Sequence, residues 1–348
     1  MNNRMLIRVV KQEEQALFDQ VVNHPLQSWN WGDFRKTTGV AVERLGFYEN
    51  GKLTKGLQVT FHPIPMLGKT AGYLPKAFTP DENQLAALKT LGEQHNALFI
   101  KLEPNVAAQA VQAKTIHQPI RQFLLSHECK SGRPLFTKYT FELDLTPDEE
   151  TLFANLNSKT RYNTRLAKKK GVKIVENTSQ EGLNIYLKIL SETTSRQGFY
   201  AHSPDYFQKM WNQLGTSGIM RIFNAVYQEK VLVSWIVFIF NNVLYYPYGA
   251  STREHREVMA SNLMMWEIIK FGKQAGCTKF DMWGSLGPEP NPKNPWYGFH
   301  RFKEGYGGTL MEFAGTYDLV LNPILYTLFR KVDNLRWKIL RLIKKIGF

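Results

Sequence analysis

The sequence predicts a mixed α/β fold of the α+β kind, built as two tandem copies of one unit. Three observations carry this. A strand–strand–helix–strand order appears twice, offset by about 179 residues. A helical segment precedes each copy. The 348 residues, 43% of them hydrophobic, supply cores for about two domains.

In the first copy a helical pattern covers 13–22, and Tyr48-Glu-Asn-Gly-Lys52 opens a hairpin-like stretch through 57–61 to 70–74. A helical pattern follows at 81–96 and a short strand at 98–102. In the second copy the order is helix 180–194, a turn at Tyr227-Gln-Glu-Lys230, strands 232–240 and 243–248, helix 253–275 and strand 279–282. This order is the core of the acyltransferase fold called GNAT. It divides the chain into GNAT-like domains at 1–145 and 146–315, each a mixed sheet flanked by helices, and a basic amphipathic helical segment at 316–348.

Between the copies, Thr146-Pro-Asp-Glu149 reads as an N-cap that starts a helix over 147–156. Asn157-Ser158 caps a second helix that ends at Gly171, with Arg161, Arg165, Lys168 and Lys169 on one face. The net charge of +14 is concentrated. Residues 151–173 hold seven Lys/Arg and no acid, and residues 322–348 hold seven Lys/Arg against Asp333 alone. A near-neutral chain with two basic segments points to polyanionic partners. Like charges at helical spacing repel, and an anionic ligand relieves that cost. In the last segment Leu325, Leu328, Phe329, Val332, Leu335, Ile339, Leu342, Ile343 and Ile346 form one stripe. Its first turns are expected to pack on a domain. From Trp337 onward a basic face beside Trp and Ile suits either an anionic membrane surface or the protein itself.

Several classes are excluded. The sequence has no Gly-x-Ser-x-Gly, HExxH, P-loop or Rossmann glycine fingerprint. Cys129 and Cys277 lie far apart with no His at metal-ligand spacing, so neither a disulfide nor a metal site is expected. The N-terminus lacks a signal-peptide stretch, and the longest apolar run, 231–240, is half a membrane span and reads as a buried strand. A cytoplasmic protein is expected. A CoA-dependent GNAT enzyme needs a glycine-rich turn to cradle pyrophosphate. Neither strand–helix junction has one, so the acyl donor is expected to be something else.

The stretch 281–308 is the most informative. A strand ends at Asp281 and Gly284, a proline-rich loop follows, and the loop delivers Phe302 and Lys303 beside Gly307-Gly308. A fixed Lys beside an aromatic can present a positive charge to a reacting group. Glu103, at a strand end, is the carboxylate placed to act as general base, to hold an amine, or to serve the structure alone. Asp281, at the same place in the second copy, reads as structural. Trp29, Trp31 and Phe34 read as packing residues.

Taken in order, several segments resemble the FemABX family of tRNA-dependent aminoacyl transferases, which extend the stem peptide of peptidoglycan precursors. They are Ser28-Trp-Asn-Trp-Gly-Asp-Phe-Arg-Lys-Thr-Thr-Gly39, Gly72-Tyr-Leu-Pro-Lys76, Lys101-Leu-Glu-Pro104, the run from Ser158 to Gly171, Ser195-Arg-Gln-Gly-Phe199, Gly249-Ala-Ser251 and Gly298-Phe-His-Arg-Phe-Lys303. Many members carry a long helical-hairpin arm in the second domain, and this chain has no room for it. It resembles the short, armless members. The resemblance implies two GNAT-like domains, with the last helices returning to the first. It implies a peptidoglycan precursor, linked to lipid or uridine, as acceptor. Aminoacyl-tRNA is the implied co-substrate, with no other cofactor. By position Lys36, Arg196, Tyr200, Tyr246 and Tyr248 match phosphate- and peptide-binding residues, and Phe302 and Lys303 match the pair near the reacting ester. With no arm, Lys159, Arg161, Arg165, Lys168 and Lys169 become the candidate tRNA contacts. A monomer, peripheral to the inner face of the membrane, fits this reading. Two rivals stand beside it: a GNAT-like N-acyltransferase with another donor or amine, and a non-catalytic RNA- or membrane-binding protein.

Overall fold

The computed structural model describes residues 5–197 and 201–346, and for Met5, Arg196, Gln197 and residues 336–346 the backbone alone. The first part of the chain runs β1 (Met5–Val9), α1 (Gln15–Val21), α2 (Trp29–Thr37), β2 (Ala41–Glu49), β3 (Lys52–Ile64), β4 (Lys69–Pro75), α3 (Glu82–Gln94), β5 (Ala97–Glu103), β6 (Ala107–Gln109), α4 (Ala113–Ser126), β7 (Cys129–Ser131) and β8 (Tyr139–Asp144). Then follow α5 (Glu149–Ala154), α6 (Ser158–Lys169), β9 (Lys173–Glu176), α7 (Gln180–Gln197), α8 (Pro204–Met210), β10 (Met220–Tyr227), β11 (Lys230–Phe240) and β12 (Val243–Ser251). The chain finishes with α9 (Ala260–Gln274), β13 (Lys279–Ser285), α10 (Tyr297–Glu304), β14 (Thr309–Phe313), β15 (Tyr317–Val320) and α11 (Pro323–Ile346).

Among the described residues these strands form two sheets, ordered β1-β2-β3-β4-β5-β15-β7 and β6-β14-β8-β13-β12-β11-β10-β9. Each sheet contains one parallel pair, β4 with β5 and β12 with β13; the other pairings are antiparallel. A parallel pair needs a crossover, and α3 and α9 provide it. The fold is therefore the expected pair of GNAT-like units. Local chemistry explains the hairpins. Asn50 and Gly51 turn β2 into β3, and Asn241 and Asn242 turn β11 into β12, all with positive φ. In α3, Asp81 caps the Gln84 amide and Gln84 returns the bond, while Leu85, Leu88 and Leu91 bury one face.

The cores tie the units together. Phe18, Trp29, Trp31 and Phe34, from the first unit, share a core with Ile222, Ile236, Phe238 and Tyr245 of the second. Phe34 meets Tyr206 edge-on at 4.8 Å, and Trp31 meets Phe238 at 6.3 Å. The aromatic run of α2 is thus the packing between the units.

Three expectations are corrected, and a fourth holds in part. First, a boundary after residue 145 separates β8 from its sheet, because β8 lies between β14 and β13 in the second sheet. β6 also joins that sheet, and β15 crosses back into the first, between β5 and β7. Second, α5 is capped by Asp148, which takes the Thr151 amide at 2.6 Å, while the Thr146 amide goes to Asp144. Third, α9 begins at Ala260, because His255 and Met259 adopt left-handed conformations that a helix cannot propagate through. Fourth, in α11 Leu325, Tyr326 and Phe329 dock on Leu98, Phe99 and Val320. Ile324, Leu328, Val332 and Leu335 of the same helix stay exposed.

The crossing strand β15 is locked by charge. Lys101 reaches Asp318 at 2.6 Å with both side chains buried, and Tyr326 donates to the same carboxylate at 2.7 Å. Removing one partner leaves the other charge buried and uncompensated. Asp318→Ala is therefore expected to lower the unfolding free energy by about 3–5 kcal/mol, read by urea denaturation. A change below the error of that measurement would show that β15 is held by its strand bonds alone.

Candidate active site

The parallel pair of the second unit is short. β12 and β13 pair over Val243–Tyr245 and Lys279–Asp281, and beyond those residues they separate. Ligand crevices in open α/β sheets form outside such carboxyl ends. β13 is also irregular against β8 between Asp281 and Gly284, and Trp283 in that interval has φ +63°.

Lys303 fills this place. It sits on α10, an eight-residue helix where a loop was expected. The prolines end before Trp296, and His300 and Lys303 are buried one turn apart. Lys303 is 0% exposed. Its Nζ donates to the Gly284 carbonyl at 2.8 Å and reaches the Trp283 carbonyl at 3.4 Å. It lies 3.8 Å from the Phe299 ring centre and 5.6 Å from that of Tyr246. An ammonium carries three donors, so one remains unclaimed among the described residues. Burial pulls the amine well below its usual range, and the Asp281 charge opposes that. Phe302 is half-buried, edge-on to Trp235 at 6.2 Å and 5.3 Å from Tyr306.

The tyrosines of β12 divide between two neighbourhoods. Tyr246 stacks on Trp235 at 4.0 Å, on the Lys303 side of the sheet. Its hydroxyl packs so close to residue 249 that a Cβ there would lie 2.0 Å away, which accounts for Gly249. Tyr248 lies with Phe207 and Phe238 on the other side. Lys36 is exposed and pairs with Asp33 at 3.5 Å. Its neighbour Arg35 is half-buried instead, with its guanidinium 5.7 and 5.8 Å from the ring centres of Phe34 and Tyr206. Of the two cations at the end of α2, the one packed on the aromatic cluster is therefore Arg35, which sequence reasoning passed over; its helical position, one step from Phe34, was the available signal. Arg196 belongs to the last turn of α7, but its side chain lies outside the described residues, as does Tyr200.

Glu103 does not look like a base. Its carboxylate accepts from Tyr73 at 2.6 Å, the Leu135 and Phe136 amides at 2.8 and 3.2 Å, and Thr316 at 2.8 Å. Four donors from three segments saturate it. This bonding fits the structural role, one of the three left open. Beside it Lys76 is buried at φ +51°, with its Nζ 2.9 Å from the Phe313 ring centre. Burial brings this amine down to about 8. Of the basic helix, Lys159, Arg165, Lys168 and Lys169 are exposed. Arg161 instead caps the Ala154 and Leu156 carbonyls at the end of α5.

The FemAB family profile matches residues 11–225 and 216–334. This chain belongs to the FemAB family. It is 26% identical over 391 residues to the lipid II:glycine glycyltransferase of Staphylococcus epidermidis RP62A, covering 90% of this chain and 92% of that protein. To the enzyme of that name in Staphylococcus aureus USA300 it is 24% identical, covering 94% and 95%. An alignment of 391 residues against a chain of 348 means that the relative carries insertions this family member lacks. The crystal structure of FemX matches at TM-score 0.81 and 20% identity, over 93% of this chain and 99% of that one. L-PGS from Bacillus licheniformis shares the fold at TM-score 0.51 and 12% identity, over 80% and 85%.

Lys76 generates a prediction. Its amine binds a proton less readily folded than unfolded, so the unfolded chain holds more protons between pH 8 and 10.5. Its burial penalty is full below pH 8 and fades as pH rises toward 10.5. Lys76→Met should therefore be more stable than wild type at pH 7, with the gap narrowing at pH 10. Urea titrations at both values check this; a gap that does not change with pH would mean that burial leaves the Lys76 amine unshifted.

Proposed function

We propose that this chain transfers an aminoacyl group from aminoacyl-tRNA to the stem-peptide amine of a peptidoglycan precursor, linked to lipid or to uridine diphosphate. The observation that carries the reading is Lys303, buried at the split between β12 and β13 with its Nζ on the Trp283 and Gly284 carbonyls. The names of the relatives, which act on lipid II, support the precursor class.

In this reading the amine nitrogen attacks the ester carbonyl of the donor. A C–N bond forms, and the carbonyl electrons move onto oxygen. The free N–H of Lys303 faces that oxyanion in a dry site, where such a donor contributes several kcal/mol. The intermediate collapses, the C–O bond breaks, and the ribose hydroxyl leaves with a proton while the amine loses one. The ester brings its own activation, so the reaction calls on no further cofactor. Arg35, Lys36 and Arg196 supply cations for the precursor's phosphates. Lys159, Arg165, Lys168 and Lys169, exposed and without acids beside them in sequence, suit the RNA backbone. The junction from β12 to α9, residues 252–259, contains no glycine, which disfavours acyl-CoA as donor.

Membrane contact is part of the proposal. Among the described residues no helix is long and apolar enough to cross a membrane. The stripe of Ile324, Leu328, Val332 and Leu335, beside Arg330 and Lys331, suits the surface of an anionic bilayer. The double variant Leu328→Glu, Val332→Glu should lose binding to vesicles containing phosphatidylglycerol while its melting temperature holds. Binding equal to wild type would remove α11 from the membrane.

The central test incubates the protein with a mixture of charged tRNAs and a muramyl-pentapeptide precursor, and weighs the product. A mass increment of one amino acid is expected, and Lys303→Ala should cut kcat by about 100-fold or more. Transfer from acyl-CoA, or no transfer from any donor, would favour the two rival readings in turn. Glu103→Gln should lower stability by about 1–3 kcal/mol yet leave the pH profile of transfer unchanged. Loss of the acidic limb of that profile would return Glu103 to the chemistry.

A further inference from the structure

Asp281 reads in the sequence as a structural end to a strand, and the geometry around it gives it more to do. Its Oδ1 accepts from the Trp283 amide at 2.7 Å and from the Thr140 hydroxyl at 2.5 Å. That same hydroxyl lies 2.7 Å from the Trp283 carbonyl. Trp283 is thus held at its amide by Asp281 and flanked at its carbonyl by the Thr140 hydroxyl, whose one proton serves either acceptor, in a left-handed conformation that a large aromatic residue adopts only when its surroundings impose it. The result of the kink is that the carbonyls of Trp283 and Gly284 converge on the Lys303 ammonium.

We propose that Asp281 is the positioning residue for Lys303: it holds the kink that aims two carbonyls at Nζ, and it supplies the negative charge that keeps this buried amine an ammonium. An ammonium with no water around it is costly unless an opposite charge stands near. Carbonyl dipoles alone do not supply a net charge.

The surroundings leave Asp281 as the carboxylate for this task. From β12 the neighbour is Tyr246, whose hydroxyl burial keeps neutral. From α10 itself come His300, held below its usual range by burial and bonded to Ser285, and the exposed pair Arg301 and Glu304. Tyr306 is buried and neutral. From β8, Glu142 faces Asp281 and is paired with Lys279 at 3.3 Å. From the first unit, Lys76 faces Asp281 as a second buried amine. The charge of Asp281 thus acts on two buried lysines, one from each repeat.

The inference rests on the proposed function only in treating the ammonium as the working group; its own test reads the amine directly. The full chain labelled with 13C at lysine Cε is titrated by NMR, with the Lys303 signal identified by its loss in Lys303→Met. In the wild type that signal should show the charged form at pH 7. Asp281→Asn keeps the oxygen that accepts both bonds and removes the charge, so its Lys303 midpoint should fall by about one pH unit or more. Asp281→Ser, which keeps an acceptor for the Trp283 amide, should shift it the same way if the Asn variant folds poorly. Where transfer is measurable, its alkaline limb should move to lower pH in step with that midpoint. A neutral Lys303 at pH 7 in the wild type, or a midpoint unmoved by removing the charge, overturns the proposal. Either result stands whether or not the protein transfers amino acids.

Discussion

One buried carboxylate at the end of β5 holds the two halves of this molecule in register. Glu103 takes donors from β4, from the linker that leaves the first sheet at residues 135–136, and from Thr316, where the chain returns to it. A buried acid is stable only when its oxygens are fully bonded. Satisfying this one requires the outgoing and returning strands to pass the same point. The exchange of β6, β8 and β15 between the sheets follows from that constraint, and Asp318 with Lys101 seals it two residues further on.

The two repeats use equivalent places differently. At the split of β4 from β5, the carboxylate is saturated and the nearby amine, Lys76, rests on an aromatic face. At the split of β12 from β13, the carboxylate has two donors, and the nearby amine keeps one donor free. The first arrangement is a joint. The second is a charged group held in a dry crevice, where an electrostatic contact is many times stronger than in water. The same local geometry yields a fastener in one unit and, in the function proposed, the working position in the other.

Much of this was legible. The Asn50-Gly51 and Tyr227-Gln-Glu-Lys230 turns and the helical patterns at 81–96 and 253–275 are local signals, and they placed both repeats. Lys303 and Phe302 were legible from motif order. The kink at Trp283 was not, because nothing in Asp-Met-Trp-Gly announces a left-handed tryptophan; it exists only because Asp281 and Thr140, far apart in sequence, close on it. The packing of Arg35 on the aromatic cluster was hidden for a related reason. Neighbours on a helix point about 100° apart, and which of Arg35 and Lys36 packs there depends on how Trp31 and Phe34 seat against the second unit.

The sequence by itself determined the repeat, its strand–strand–helix–strand order, the basic segments and the candidate lysine, since each rests on periodicity, turn chemistry or residue type within a short window. Only the tertiary structure decided which sheet β6, β8 and β15 join, that Tyr246 and Tyr248 part company, that Glu103 is a fastener and that Asp281 faces two lysines. Those outcomes depend on burying charge, and a charge is buried only where partners distant in sequence arrive together.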